Sequence, residues 1–147
     1  MNIINEMKIM FDSKSCNEAF ARGAVASFVV QLDPTVAELS DIKTAVSEAV
    51  TNAIVHGYSN TIGTVTIKVQ ITDNANVIIQ VKDKGVGIEN IPQAMEPMFT
   101  TGGNERAGLG FAVMQSFMDK VKVTSKPNKG TTVTMEKYII PRISSRG

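Results

Sequence analysis

Residues 35–56 read TVAELSDIKTAVSEAVTNAIVH, and this stretch decides the fold. Leu39, Ile42, Val46, Ala49, Val50 and Ala53 recur at spacings of three and four, which gives a long helix with one apolar face; Gly57 ends it. At roughly 100° per residue, Asp41, Thr44, Glu48 and Asn52 form a ridge well away from the stripe centred on Val46 and Ala53. One side of the helix is built for a core, and the polar side is either solvated or used.

Outward from this helix the pattern alternates. Toward the N-terminus, Asp33-Pro34 separates it from a helix over 15–32, in which Phe20, Ala24, Phe28 and Leu32 stack on one side. Met7, Ile9 and Phe11 alternate with Lys8 and Met10, which gives a strand over 6–12. Toward the C-terminus, Val65, Ile67, Val69 and Ile71, then Val77, Ile79 and Val81, alternate on either side of a turn at Asp73-Asn74, as in an antiparallel hairpin. Gly85 and Gly87 stop its second strand. A flexible segment is expected up to Ala107, then a helix with Met114, Phe117, Met118 and Val121 on one face, then strands near 121–126 and 131–139 around Pro127 to Gly130. The tail from about Pro141 is expected to fray.

A chain of 147 residues with 43% hydrophobic content suits a single domain spanning 1–147. Fifteen Lys and Arg against fourteen Asp and Glu give no overall electrostatic footprint for nucleic acid or an anionic membrane, so partners are expected to be recognised by a local surface. The longest apolar stretch, Ala24 to Val30, is far short of the ~20 residues that span a bilayer, and no signal peptide is read. Cys16 has no partner for a disulfide, and one Cys with one His cannot make an ordinary structural zinc site. A cytoplasmic location is expected.

Three short runs carry chemistry when taken together: Glu48 to Asn52, Asp83 to Gly87, and Arg106 to Phe111. Glu48 and Asn52 lie one helical turn apart, a spacing that lets an amide oxygen hold Mg²⁺ on phosphates while a carboxylate serves as a base; a solvated face is the alternative. Asp83 shares the inward parity of Val77, Ile79 and Val81, so its carboxylate is directed toward the core side and needs a partner, for which a purine amino group or the following turn would serve. Gly85 and Gly87 are pocket or simple turn glycines. The run from Phe99 to Phe111 joins hydroxyls, glycines and Arg106 directly before a helix, which suits either a mobile lid over phosphates, with Arg106 offering a planar fork to the last one, or a surface loop.

In this order the motifs resemble the ATP-binding fold shared by gyrase-type ATPases, Hsp90-type chaperones and histidine kinases. Within it, residues 48–58 (EAVTNAIVHGY), 99–101 (FTT) and 128–133 (NKGTTV) are similar to the anti-sigma F factors of spore-forming bacteria, and the likeness runs from about residue 5 to 138. The resemblance implies an α+β, two-layer sandwich with a mixed, mostly antiparallel sheet and helices on one face. It also implies a homodimer that holds a sigma factor of the sigma F type and, as a serine kinase, phosphorylates an anti-anti-sigma protein. It assigns Glu48 as catalytic base, Asn52 to Mg²⁺, Asp83 to adenine, Gly85 and Gly87 to the base pocket, and Thr100, Thr101, Gly108 and Gly110 to the phosphate lid. Arg106 would meet the γ-phosphate and Thr131 would support the adenine end. Arg22, on the first helix beside Ala21 and Gly23, is read separately either as a contact for the sigma factor or as an ordinary solvated Arg. The cofactors implied are ATP or ADP with Mg²⁺, without nucleic acid or membrane.

The sole histidine, His56, lies in the proposed metal helix and is read as a packing or cap residue, so a self-phosphorylating histidine kinase lacks its acceptor domain. Two alternatives stay open: an anti-sigma B-type kinase of the general stress response, and a nucleotide-gated binding module without catalysis, against which Glu48 argues.

Overall fold

The computed structural model describes residues 2–95 and 105–140, without the side chains of residues 105–108. Strand β1 (Ile3–Asp12) leads into helix α1 (Asn17–Val29), which tightens into a 3₁₀ turn over Val30–Leu32. Helix α2 (Val36–Asn52) widens into a π turn over Ala53–Gly57. The hairpin strands β2 (Thr64–Thr72) and β3 (Asn76–Asp83), a short helix α3 (Ile91–Ala94), helix α4 (Glu105–Phe117) and strands β4 (Lys120–Lys126) and β5 (Gly130–Tyr138) follow.

The five strands form one sheet in the order β1-β2-β3-β5-β4, and every pairing among them is antiparallel, in keeping with the mostly antiparallel sheet expected. The alternating residues of the hairpin account for this: Ile67 faces Val81 and Val69 faces Ile79 across β2 and β3, with both pairs buried on the same side. The helices cover that side, so the fold is the expected two-layer α+β arrangement. Ile42, Val46 and Val50 of α2 are fully buried and complete the core with Met114 of α4.

The apolar face of α1 differs from the expected one. Ala21, Val25 and Val29 are buried, whereas Phe20 is 55% exposed and packs edge-on against Phe11 with ring centroids 6.4 Å apart. The bulkier residues sit at the rim because α1 lies close on α2, and small side chains fit that contact. Phe117 is likewise more exposed than expected, at 37%, while Met114 and Met118 are buried.

The start of α2 is fixed by a capping box. Thr35 Oγ1 accepts from the Glu38 N–H at 3.0 Å, and Glu38 Oε1 accepts from the Thr35 N–H at 2.8 Å. The second Glu38 oxygen accepts from the Ile140 N–H at 3.0 Å, which ties the helix to the end of β5. Partial burial acts to raise the Glu38 pKa, but the hydrogen bonds from Thr35 and Ile140 outweigh it and hold the carboxyl below its ordinary value. Replacing Thr35 by Ala should lower the unfolding free energy by about 1 kcal/mol in a urea titration. An unchanged midpoint and slope would show that the box does not anchor α2.

Candidate functional site

Beneath α4, between the C-terminal end of α2 and the ends of β3 and β5, lies a cavity of about 550 Å³. One end is built around Asp83, the last residue of the central strand. Its carboxylate is buried and accepts from the Gly85 N–H at 2.9 Å. Burial raises its pKa, and the N–H groups of Gly85 and Thr131 act against that rise. The carboxylate reaches the cavity wall, where its remaining lone pairs can accept from a ligand.

The π turn explains why the chain can close around this group. It carries Gly57 against Asp83 so closely that a Cβ there would stand 2.9 Å from the carboxyl carbon, and the Val86 N–H donates to the Gly57 carbonyl at 3.0 Å. Tyr58 locks the same corner: its hydroxyl accepts from the Lys84 N–H at 2.6 Å and donates to the Thr64 carbonyl at 2.9 Å. Gly85 lies against the Gly57 carbonyl, and Gly87 adopts φ +75° beside Lys126. No periodicity or motif marks the π turn or the tyrosine bridge.

The other end of the cavity carries Asn52. It is only 9% exposed, and neither its Oδ1 nor its Nδ2 has a hydrogen-bond partner among the described residues. A buried amide in that state calls for a partner beyond the described residues. Glu48, half-buried one turn earlier, meets it at Gly110: a Cβ on that glycine would lie 3.0 Å from Glu48 Oε2 and 3.1 Å from Asn52 Nδ2. The ridge is thus covered by α4 rather than solvated, apart from Asp41, which pairs with Lys137 at 3.4 Å.

Of the residues assigned from sequence, Asn52, Asp83, Gly87 and Thr131 line the cavity, and Glu48, Gly85 and Gly110 stand directly behind its wall. Arg22 is on α1, 3.8 Å from Glu18 in an i,i+4 pair, and is not part of the cavity. Thr100 and Thr101 lie outside the described residues, as does the side chain of Arg106; the backbone of Arg106 and Gly108 forms part of the first turn of α4. His56 is half-buried and lines the cavity at the end of the π turn. The apolar walls came without a motif. Val81, Val133 and Phe111 enclose the middle, and the first two could have been found from their inward strand parity.

Among the described residues no group of His, Cys, Asp and Glu could hold a metal by itself. The orphaned Asn52 amide fits one oxygen ligand of a Mg²⁺ whose other ligands are phosphate oxygens and water, which is how that ion is ordinarily held. No helix among the described residues is long and apolar enough to cross a membrane.

Comparison with known proteins agrees with this geometry. Residues 15–137 match the histidine kinase-like ATPase domain family. The chain is 59% identical over 140 residues to the anti-sigma F factor of a Thermoanaerobacter species, covering 95% of this chain and 97% of that one. It is 57% identical over 137 residues to the anti-sigma F factor of a Geobacillus species, covering 92% and 93%, and 56% identical over 134 residues to that of Clostridium kluyveri, covering 90% and 94%. Among solved structures, the RsbU and RsbW domains of a Mycobacterium tuberculosis protein share the fold with a TM-score of 0.68 at 18% identity, over 92% of this chain and 32% of that one. The histidine kinase domain of a blue-light activated kinase from Erythrobacter litoralis gives 0.52 at 19% identity, over 83% and 60%. Sequence and fold together place this chain in the anti-sigma F factor family, within the histidine kinase-like ATPase domains.

Proposed function

We propose that this protein binds and inhibits a sigma factor of the sigma F type, and that it transfers the γ-phosphoryl group of ATP to a serine of an anti-anti-sigma protein. The observation that carries the enzymatic half is the polarity of the cavity, with a buried carboxylate acceptor at one end and an orphaned amide at the other, separated by apolar walls. A purine ring fits between Val81 and Phe111 with its amino group donating to Asp83, which leaves the phosphates running toward Asn52 and the start of α4. The kin relations support the reading, since each named relative is an anti-sigma F factor. Homodimerisation and a cytoplasmic location belong to the same proposal.

In this mechanism Glu48 orients the acceptor hydroxyl and takes its proton as the oxygen attacks the γ-phosphorus, while the bond from that phosphorus to the β,γ-bridging oxygen breaks and ADP leaves with the electron pair. Asn52 contributes its amide oxygen to Mg²⁺, which when bound neutralises charge on the phosphate oxygens. Arg106, Thr100, Thr101 and the backbone at Gly108 hold the transferring phosphoryl group, aided by the positive end of α4, while Gly110, past the free N–H groups of that end, lets α4 close on Glu48 and Asn52. Asp83, with Gly85, Gly87 and Thr131, fixes the base, so most of the rate comes from positioning and charge neutralisation.

Radiolabelled ATP with a purified anti-anti-sigma protein tests the base directly. Glu48→Gln should slow transfer by ~10²–10⁴-fold while ADP affinity stays within a few-fold, because the carboxylate acts on the hydroxyl and not on the nucleotide. Undiminished transfer at saturating ATP would remove Glu48 from the mechanism.

Asn52→Ala separates the metal from the base. Nucleotide binding measured by calorimetry should weaken more in Mg²⁺ than in EDTA, and equal losses in both would contradict the metal role. The pH dependence of ADP binding isolates Asp83. Its folded pKa is raised, so the ionised acceptor is fully present only well above that value, and affinity should fall as pH drops through it, at a higher pH than for an exposed aspartate. Asp83→Asn should weaken ADP and ATP alike and abolish this step; a step that persists in the variant belongs to another group.

A further inference from the structure

The sheet face opposite the helices is strongly cationic although the whole chain is nearly neutral. Strand parity sets Lys8, Lys68, Lys82, Lys120, Lys122 and Lys126 on this face, with Glu6, Asp12 and Glu136 as its acidic residues. The formal net charge of the chain is +1, so the lysine excess here is balanced by an acidic excess elsewhere. Such segregation creates a local positive field on an otherwise weakly charged molecule.

Two of these lysines, Lys8 and Lys82, meet Lys84 at a groove of about 470 Å³ that crosses β1, β2 and β3, with Asp12 opposite Thr64 at its edge. Lys8 and Met10 form one wall, Lys82 and Lys84 the other, and Thr64 and Thr66 the floor. Among the described residues none of the three lysines is in an ion pair. Lys8 also stands directly opposite Lys68 in the β1–β2 register, a like-charge placement that costs stability. Glu6 offsets Lys68 at 3.3 Å, and nothing comparable offsets Lys8.

We propose that this groove docks an acidic polypeptide segment of a partner protein, with its carboxylates paired to Lys8, Lys82 and Lys84. A threonine floor supplies hydroxyls for an extended peptide backbone. It supplies no stacking platform or arginine fork for nucleic acid: the one aromatic side chain at the groove, Tyr58, is 8% exposed and its hydroxyl is engaged by Lys84 and Thr64. The acidic excess elsewhere on the chain further disfavours a long polyanion. The groove lies on the far side of the sheet from the cavity, and the proposal does not depend on what fills that cavity.

Fluorescence anisotropy with a labelled short poly-glutamate peptide as probe, using the full chain at low salt, tests the proposal. Saturable binding is expected that weakens as salt rises and becomes weaker by about tenfold or more in the Lys8→Glu, Lys82→Glu double variant. Lys43→Glu, an exposed change on α2, should leave binding unaltered. The Lys8→Gln, Lys82→Gln pair gives a milder loss and serves if charge reversal disturbs folding, which circular dichroism would reveal. Absence of saturable binding, or equal binding by the variants, would overturn the proposal. So would displacement of the peptide by a single-stranded oligonucleotide at lower concentration than by free peptide, or self-association of the wild type that the lysine changes abolish, since the groove would then serve nucleic acid or a second copy.

Discussion

A carboxylate buried at the end of the central strand constrains everything around it. An ionised Asp83 without partners would be costly in that position, so the fold brings the N–H groups of Gly85 and Thr131 to it and clears space with Gly57. These contacts require α2 to unwind into a π turn and β5 to pair with β3 in a register that sets Thr131 opposite Asp83. Tyr58 then fastens the corner to the start of β2. Even so the burial is not fully offset, which is why the group retains a raised pKa and is suited to receive a hydrogen bond from a ligand.

Helix α2 joins this corner to the second functional end. Its apolar stripe is fixed by the sheet and α1, and the remaining ridge faces α4, where Gly110 lets the two backbones approach until Glu48 and Asn52 share one contact. A larger residue at that point would push α4 away from α2 and open the contact that covers Glu48 and Asn52. The geometry of the site is therefore a consequence of core packing on one side of α2 and of a missing side chain on the other.

Strands, long helix and inward parity of Asp83 were legible in the sequence because each follows from a repeat of two or of three and four in apolar residues. The α1 face departs from the i,i+4 series Phe20, Ala24, Phe28 and Leu32 because a close helix contact selects Ala21 and Val25 over Phe20. The π turn and the Tyr58 bridge left no periodic trace, since both arise from tertiary contacts between segments distant in sequence. Site residues that form motifs, such as Asn52 and Gly110, could be named in advance, while Val81, Val133 and Phe111 enter the cavity as ordinary core residues. Charge segregation on the open sheet face was hidden in a near-zero total and emerged only once strand parity was assigned.

The most direct measurement is a crystal structure of the Glu48→Gln protein with Mg²⁺ and ATP. The adenine amino group should lie within hydrogen-bond distance of Asp83, and Asn52 Oδ1 should coordinate the metal on the phosphates. An adenine ring bound away from Asp83, or a metal held without Asn52, would contradict the assignment of the cavity.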